Sequence, residues 1–201
     1  SKIAQRGSMS KTYALIAALV FCLGGAGCQP GEGFATARKA PILAGSVMIG
    51  LPTGYCIDKR ASTETKTSAV IFLGRCSTAA KAQPAVISIA VAGEGSASAM
   101  SAGPAEMAKF FGSPQGRAAL SRNGRAKDLR IITALGKGDA LLLHLGDRQI
   151  GEYWRAGVAI RGRLVTISTI GSTAQPLPPQ EGRKLLEATL TALRAANNPT
   201  N

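Results

Sequence analysis

Histidine, cysteine, aromatic residues and acids are all scarce in this chain, which has one histidine, four cysteines, 4% aromatics and 11 acidic residues in 201 positions. A single imidazole excludes a multi-histidine metal centre. Four cysteines are too few for a disulfide-built miniprotein, and with no CxxC spacing and no nearby histidine they offer no zinc site. The longest apolar run, Tyr13–Leu23, falls well short of the ~20 residues that a membrane-spanning helix requires. There is no GxxxxGKS/T loop, no GxGxxG opening a helix and no GxSxG elbow. The acids at Asp58, Glu64, Glu94, Glu106, Glu152 and Glu181 are scattered and form no spaced catalytic pair. Apolar and basic residues are plentiful instead, with 45% hydrophobic residues, 17% charged residues and a formal charge of +13. That balance excludes a disordered chain and a coiled coil, and the length fits one domain.

The N-terminal part reads as a secretory leader. Met9-Ser10-Lys11 is a short basic start, Tyr13–Leu23 is the apolar core of a signal, and Gly24-Gly25-Ala26-Gly27 are the small residues before a cut. Residues 1–8 are expected to be a non-native or overcalled start and 9–27 the signal itself. Gly25-Ala26-Gly27-Cys28 resembles the signal of bacterial lipoproteins, with Gly25 where that family usually carries leucine. The resemblance implies cleavage before Cys28, a diacylglyceryl thioether on its sulfur and an acylated new amino end. Two or three acyl chains anchor firmly where one binds only marginally. Gln29, in place of the aspartate that retains such proteins in the inner membrane, implies the outer membrane facing the periplasm. The competing expectation is an unlipidated secreted chain, cut after Ala35-Thr36-Ala37.

The cysteines argue for the same compartment. Cys22 leaves with the signal and Cys28 is consumed by the lipid, so Cys56 and Cys76 remain as an even pair in an oxidising environment. They read as one structural disulfide, whose loop closure contributes on the order of 3 kcal/mol through the unfolded state.

Residues 28–42 are small, polar and Gly/Pro-bearing, as a tether is, and 43–197 form a single domain, with 198–201 a tail. Strands are expected at Ser46–Leu51, Ser68–Leu73 and Ala85–Gly93, with a polar separator at Asp58–Thr67. Met107, Phe110 and Phe111 at helical spacing predict a helix over Pro104–Phe111, and Gln115–Ser121 a second short one. Two hairpins follow. Asp128–Ala134 and Ala140–Leu145 flank a glycine-rich turn, and Tyr153–Ile160 and Arg163–Ile170 flank Arg161-Gly162, a tight two-residue turn. Leu186, Leu190 and Leu193 mark the clearest helix, Gln180–Ala196, which Asn198-Pro199 stops. The fold class is therefore α+β, an antiparallel, hairpin-rich sheet of about six to seven strands with helices packed on it and one disulfide.

The order GYCID, GRC, YWRAGVAIRGRLVTISTIG and a closing leucine helix resembles small envelope proteins of alphaproteobacteria, a resemblance that brings no activity with it. The strand–helix order is also similar to the PsbP-type α/β/α sandwich, which implies a fold and no function.

Candidate chemistry is thin. His144, in Leu141-Leu142-Leu143-His144-Leu145, would need an orienting carboxylate and a nucleophile to act as a base, and Asp139 and Asp147 are the nearest acids in sequence. Arg117, Arg122, Arg125, Lys127 and Arg130 lie within fourteen residues, opposed there only by Asp128, and form a candidate patch for an anionic partner. Without residues 1–27 the chain keeps 21 basic against 11 acidic residues, a net +10. The seven aromatics beyond residue 27 are not interleaved with this cluster, so no stacking platform for nucleic acid is expected. The sequence therefore predicts a non-enzymatic envelope lipoprotein whose domain binds another envelope component. One rival is a periplasmic small-ligand domain using a face formed by Phe110, Phe111 and Trp154. The other is a hydrolase around His144. No cofactor and no metal are expected, and the partners are the membrane, through the anchor, and an anionic envelope component or protein.

Overall fold

The computed structural model describes residues 38–198 apart from 78 and 80. The start at 1–8, the signal at 9–27, Cys28, most of the tether and the end of the tail lie outside the described residues. The first half of the chain carries strands β1 (Lys39–Ile42), β2 (Val47–Gly50), β3 (Tyr55–Glu64), β4 (Ala69–Arg75) and β5 (Val86–Val91). Helices α1 (Pro104–Gly112) and α2 (Pro114–Leu120) follow, then strands β6 (Leu129–Lys137), β7 (Ala140–Asp147), β8 (Gly151–Ile160) and β9 (Arg163–Ile170), and the long closing helix α3 (Pro179–Asn197).

Seven strands form one antiparallel sheet in the order β3-β4-β5-β9-β8-β7-β6, and β1 and β2 form a separate two-stranded ribbon. The sheet is two meanders, β3–β5 and β6–β9, joined where β5 pairs with β9; α1 and α2 lie on the connection between them. Turn chemistry explains the hairpins. Arg161 and Gly162 both take positive φ, 47° and 77°, as a two-residue turn between right-twisted strands requires, and Ile160 pairs with Arg163. Gly138, at φ 63°, closes the β6–β7 hairpin, where Lys137 pairs with Ala140.

Alternation along each strand builds two cores. Ile87, Ile89 and Val91 of β5, Val165 and Ile167 of β9, and Trp154, Ala156, Val158 and Ile160 of β8 pack with Leu186, Leu190 and Leu193 of α3. Tyr153, Leu141, Leu143 and Leu145 point to the other face, where they meet Met100, Leu120 and, from α1, Met107, Ala108 and Phe111. Strand β7 is covered on both sides, which is why its sequence is almost continuously apolar. The ribbon is held against α3 at two points. A Cβ on Gly50 would sit 2.0 Å from the Ala192 carbonyl oxygen, so only glycine allows this approach. The Asn197 amide brackets Met48, accepting from its N–H at 2.9 Å and donating to its carbonyl at 2.7 Å.

Cys56, early in β3, and Cys76, just beyond β4, form the disulfide, with Cα atoms 5.2 Å apart. Two segments depart from expectation. Lys39–Ile42, expected within the tether, is strand β1, and the polar separator at Asp58–Thr67 is largely the continuation of edge strand β3. An edge strand whose sides face water needs no apolar alternation, so its only signal is its pairing with β4. The register shifts between Asp58 and Thr63, where the Asp58 carboxylate accepts from the Arg60 and Ala61 N–H groups.

Candidate functional site

The basic cluster expected from the sequence falls on the helical layer that covers β6 and β7, and the structure divides it. Ser113 starts α2 by accepting from the Gly116 N–H, and this short helix carries Arg117 back towards the end of α1, where its guanidinium donates to the Gly112 carbonyl. Lys127 sits in a short 3-10 turn, Ala126–Asp128, and Arg130 follows on edge strand β6. Arg117, Lys127 and Arg130 line one cleft of about 460 Å³ with Gly112, and no acid is among its lining residues.

Arg125 is turned away from this cleft. Its Nε lies 2.7 Å from the carboxylate of Asp128, which is 5% exposed and also accepts from the Asn123 amide at 2.7 Å. Ser121 donates to the Asn123 oxygen, so the whole loop is tied down at Asp128. These two hydrogen bonds, with the charges of Arg125 and Arg148 added, hold the Asp128 carboxyl below its usual range against the opposing effect of its burial. Arg122 is exposed and makes no ion pair among the described residues. Arg130 also reaches Glu152, at 3.2 Å, across Gly146, where a Cβ would collide with the arginine. Beyond Arg130 the surface carries both signs. A second cleft of about 310 Å³ shares Lys127 and Arg130 but adds Arg148 together with Asp128, Asp147 and Glu152. Only the Arg117 side is purely cationic.

The expected ligand face does not assemble. Trp154 packs in the core under α3, whereas Phe111 packs on the opposite face of the sheet and Phe110, on the same helix, is 47% exposed. Phe110 and Phe111 meet each other edge to face at 5.2 Å, without Trp154. His144 faces the α3 side, stacked on Trp154 at 4.9 Å with ring planes 5° apart. The carboxylate beside it is neither of those nearest in sequence. Asp139 pairs with Arg194, and Asp147 accepts from the Gln149 and Ile150 N–H groups in the β7–β8 turn. Glu152 on the neighbouring strand takes that place, its oxygen 3.3 Å from His144 Nε2 but poorly aligned for a hydrogen bond. No hydroxyl hydrogen-bonds to His144 among the described residues, so the pair lacks the nucleophile that acyl transfer by a Ser–His–acid route needs.

Among the described residues no three His, Cys, Asp or Glu side chains gather as a metal site, and no helix is long and apolar enough to cross a membrane. A larger concavity lies elsewhere, between α3 and the residues following β2, and none of the candidate residues named from the sequence lines it. Its one sequence signal is the alanine spacing at 188, 192, 195 and 196, on the flank of the leucine stripe that defines α3. No protein-family model and no curated protein matches the chain. The functional reading therefore rests on geometry and charge.

Proposed function

We propose that this protein is a non-enzymatic accessory domain of the bacterial envelope, lipid-anchored through Cys28 on the periplasmic side, with the outer membrane favoured. It docks through Arg117, Lys127 and Arg130 on an anionic envelope surface. The observation that carries the reading is the cleft with three cations and no acid. A cation at a membrane surface is worth about 1 kcal/mol and acts over roughly one Debye length, so a few suffice only if the domain is already close. The ten peptide links from Cys28 to Arg38 supply that closeness, since an extended chain of that length reaches at most ~35 Å. The lipid holds the protein at the membrane and the cleft orients it there.

The test is sedimentation of the full chain with vesicles containing anionic lipid and with purely zwitterionic vesicles. Arg117→Glu/Lys127→Glu is the variant of choice, because Arg125 is committed to Asp128 and its loss would disturb the fold. Anionic-vesicle binding is expected to fall about tenfold or more in this variant and to weaken with salt, with an unchanged melting temperature. Equal binding by the variant would remove the cleft from the reading. Intact mass of protein extracted from membranes tests the anchor separately, and a chain without a diacyl or triacyl increment on Cys28 would remove that part.

A further inference from the structure

An open groove of about 790 Å³ runs along α3. Its lining is apolar along its length, with Leu51 and Pro52 on one side and Leu185 and the alanine row from Ala188 to Ala196 on the other. That row spans ~12 Å of helix axis. The close approach at Gly50 brings the ribbon onto Ala192, and Leu51, Pro52 and Thr53, which follow β2, line the groove with the helix. Arg38 and Lys39 also line it, neither in an ion pair among the described residues. Arg38 donates to the hydroxyl of Thr53, another residue of the lining.

We propose that this groove binds a single-chain anionic amphiphile, a free fatty acid, with the acyl chain along the alanine row and the carboxylate at Arg38 and Lys39. Three features select this chemistry. The volume lies within the ~300–1,000 Å³ of small-ligand sites. The lining has no aromatic side chain and only two hydroxyls, Thr53 and Thr191, too few polar groups for a sugar or a nucleotide, which need several fixed hydrogen bonds. The only charges in the lining are positive, so the occupant is apolar along its length and anionic at its head. This site is separate from the cationic cleft and does not depend on the lipid anchor.

The experiment is titration of the full chain with cis-parinaric acid, a fluorescent fatty acid, below its micelle concentration, followed by competition. Saturable binding of one equivalent is expected, displaced by decanoate but about tenfold less well by decanol, which has the same chain and no charge. Ala188→Trp, at an exposed helix position, fills the groove, and Arg38→Glu/Lys39→Glu reverses its charge. Each is expected to weaken binding about tenfold or more at unchanged melting temperature, whereas Arg117→Glu/Lys127→Glu leaves it intact. The two charge-reversal variants thus separate this site from the membrane-docking reading. Absence of saturable binding, equal displacement by decanol, or wild-type binding by the Arg38→Glu/Lys39→Glu variant would overturn the proposal. So would self-association of the chain blocked by Ala188→Trp without fatty-acid binding, which would give the groove to a second copy.

Discussion

The two faces of the seven-stranded sheet are covered by unequal means. On one, a single helix of 19 residues buries Leu186, Leu190 and Leu193 to 1% exposure or less over β8 and β9. On the other, α1 and α2 have 9 and 7 residues, α1 fully buries none of its own, and β3–β5 are left largely open, with Val70 and Val86 exposed. The long helix can register a continuous stripe against the sheet, whereas two short helices joined at Ser113 give a shallow layer with edges. The difference separates tasks. The α3 face holds the longer stripe of fully buried side chains, and the thinly covered face presents the cationic cleft, beside which polar contacts at Asp128 tie the loop from Ser121.

The sharpest way to break this contrast is to truncate one side chain on each face. Leu190→Ala on the α3 face is expected to cost about 2–5 kcal/mol, and Phe111→Ala, only half-buried on the other face, about half of that or less, both read by urea denaturation. Equal costs would mean that both faces carry the fold alike. Next in size is the disulfide, which fastens the strand pair at the open end of the sheet. Cys56→Ala/Cys76→Ala is expected to lose about 3 kcal/mol, and a loss under about 1 kcal/mol would show that β3 is held by its pairing with β4 alone. Gly116→Ala tests the short-helix layer, because a Cβ there would lie 2.0 Å from the Phe110 carbonyl oxygen. It should cost about 1–3 kcal/mol and reduce vesicle binding, since α1 and α2 must move apart and carry Arg117 with them.

The smallest effect compares a carboxylate on each face. Asp128, bonded to Asn123 and Arg125, and Glu187, bonded to Lys137 and Arg183, both titrate below their usual range. Such groups stabilise the fold at pH values above the ordinary carboxylate range, and the contribution is lost as pH falls through that range towards their lowered values. Asp128→Asn should flatten the acid limb of stability more than Glu187→Gln, because Asp128 is the less exposed of the two and ties the whole loop from Ser121. A flatter limb for Glu187→Gln would reverse that assignment and place the more important ionic contact on α3.

Much of the fold is legible in the residues because its determinants are local. The two-residue turn at Arg161-Gly162 needs only a pair that tolerates positive φ, and α3 needs only leucines at helical spacing. The cationic site is legible only in part. Nearness in sequence collects Arg117, Arg122, Arg125, Lys127 and Arg130, but it does not distinguish a guanidinium committed to a buried Asp128 from one lining a cleft. His144 shows the same limit, since its carboxylate neighbour is Glu152 across the strand pair and neither of the aspartates nearer in sequence.

Short-range pattern by itself determined strand β2, strands β4 to β9, the three helices and the hairpin turns, and the expected Cys56–Cys76 disulfide is present. Tertiary structure alone decided that Lys39–Ile42 and the polar length of β3 are strands, that Trp154 and Phe111 lie on opposite faces, and that a groove opens beside Ala188–Ala196. The physical reason is the same in each case. Periodicity records which residues of one element share a face, whereas edge pairing, the helix that covers each face and the spaces left between elements arise from contacts between residues far apart in the chain.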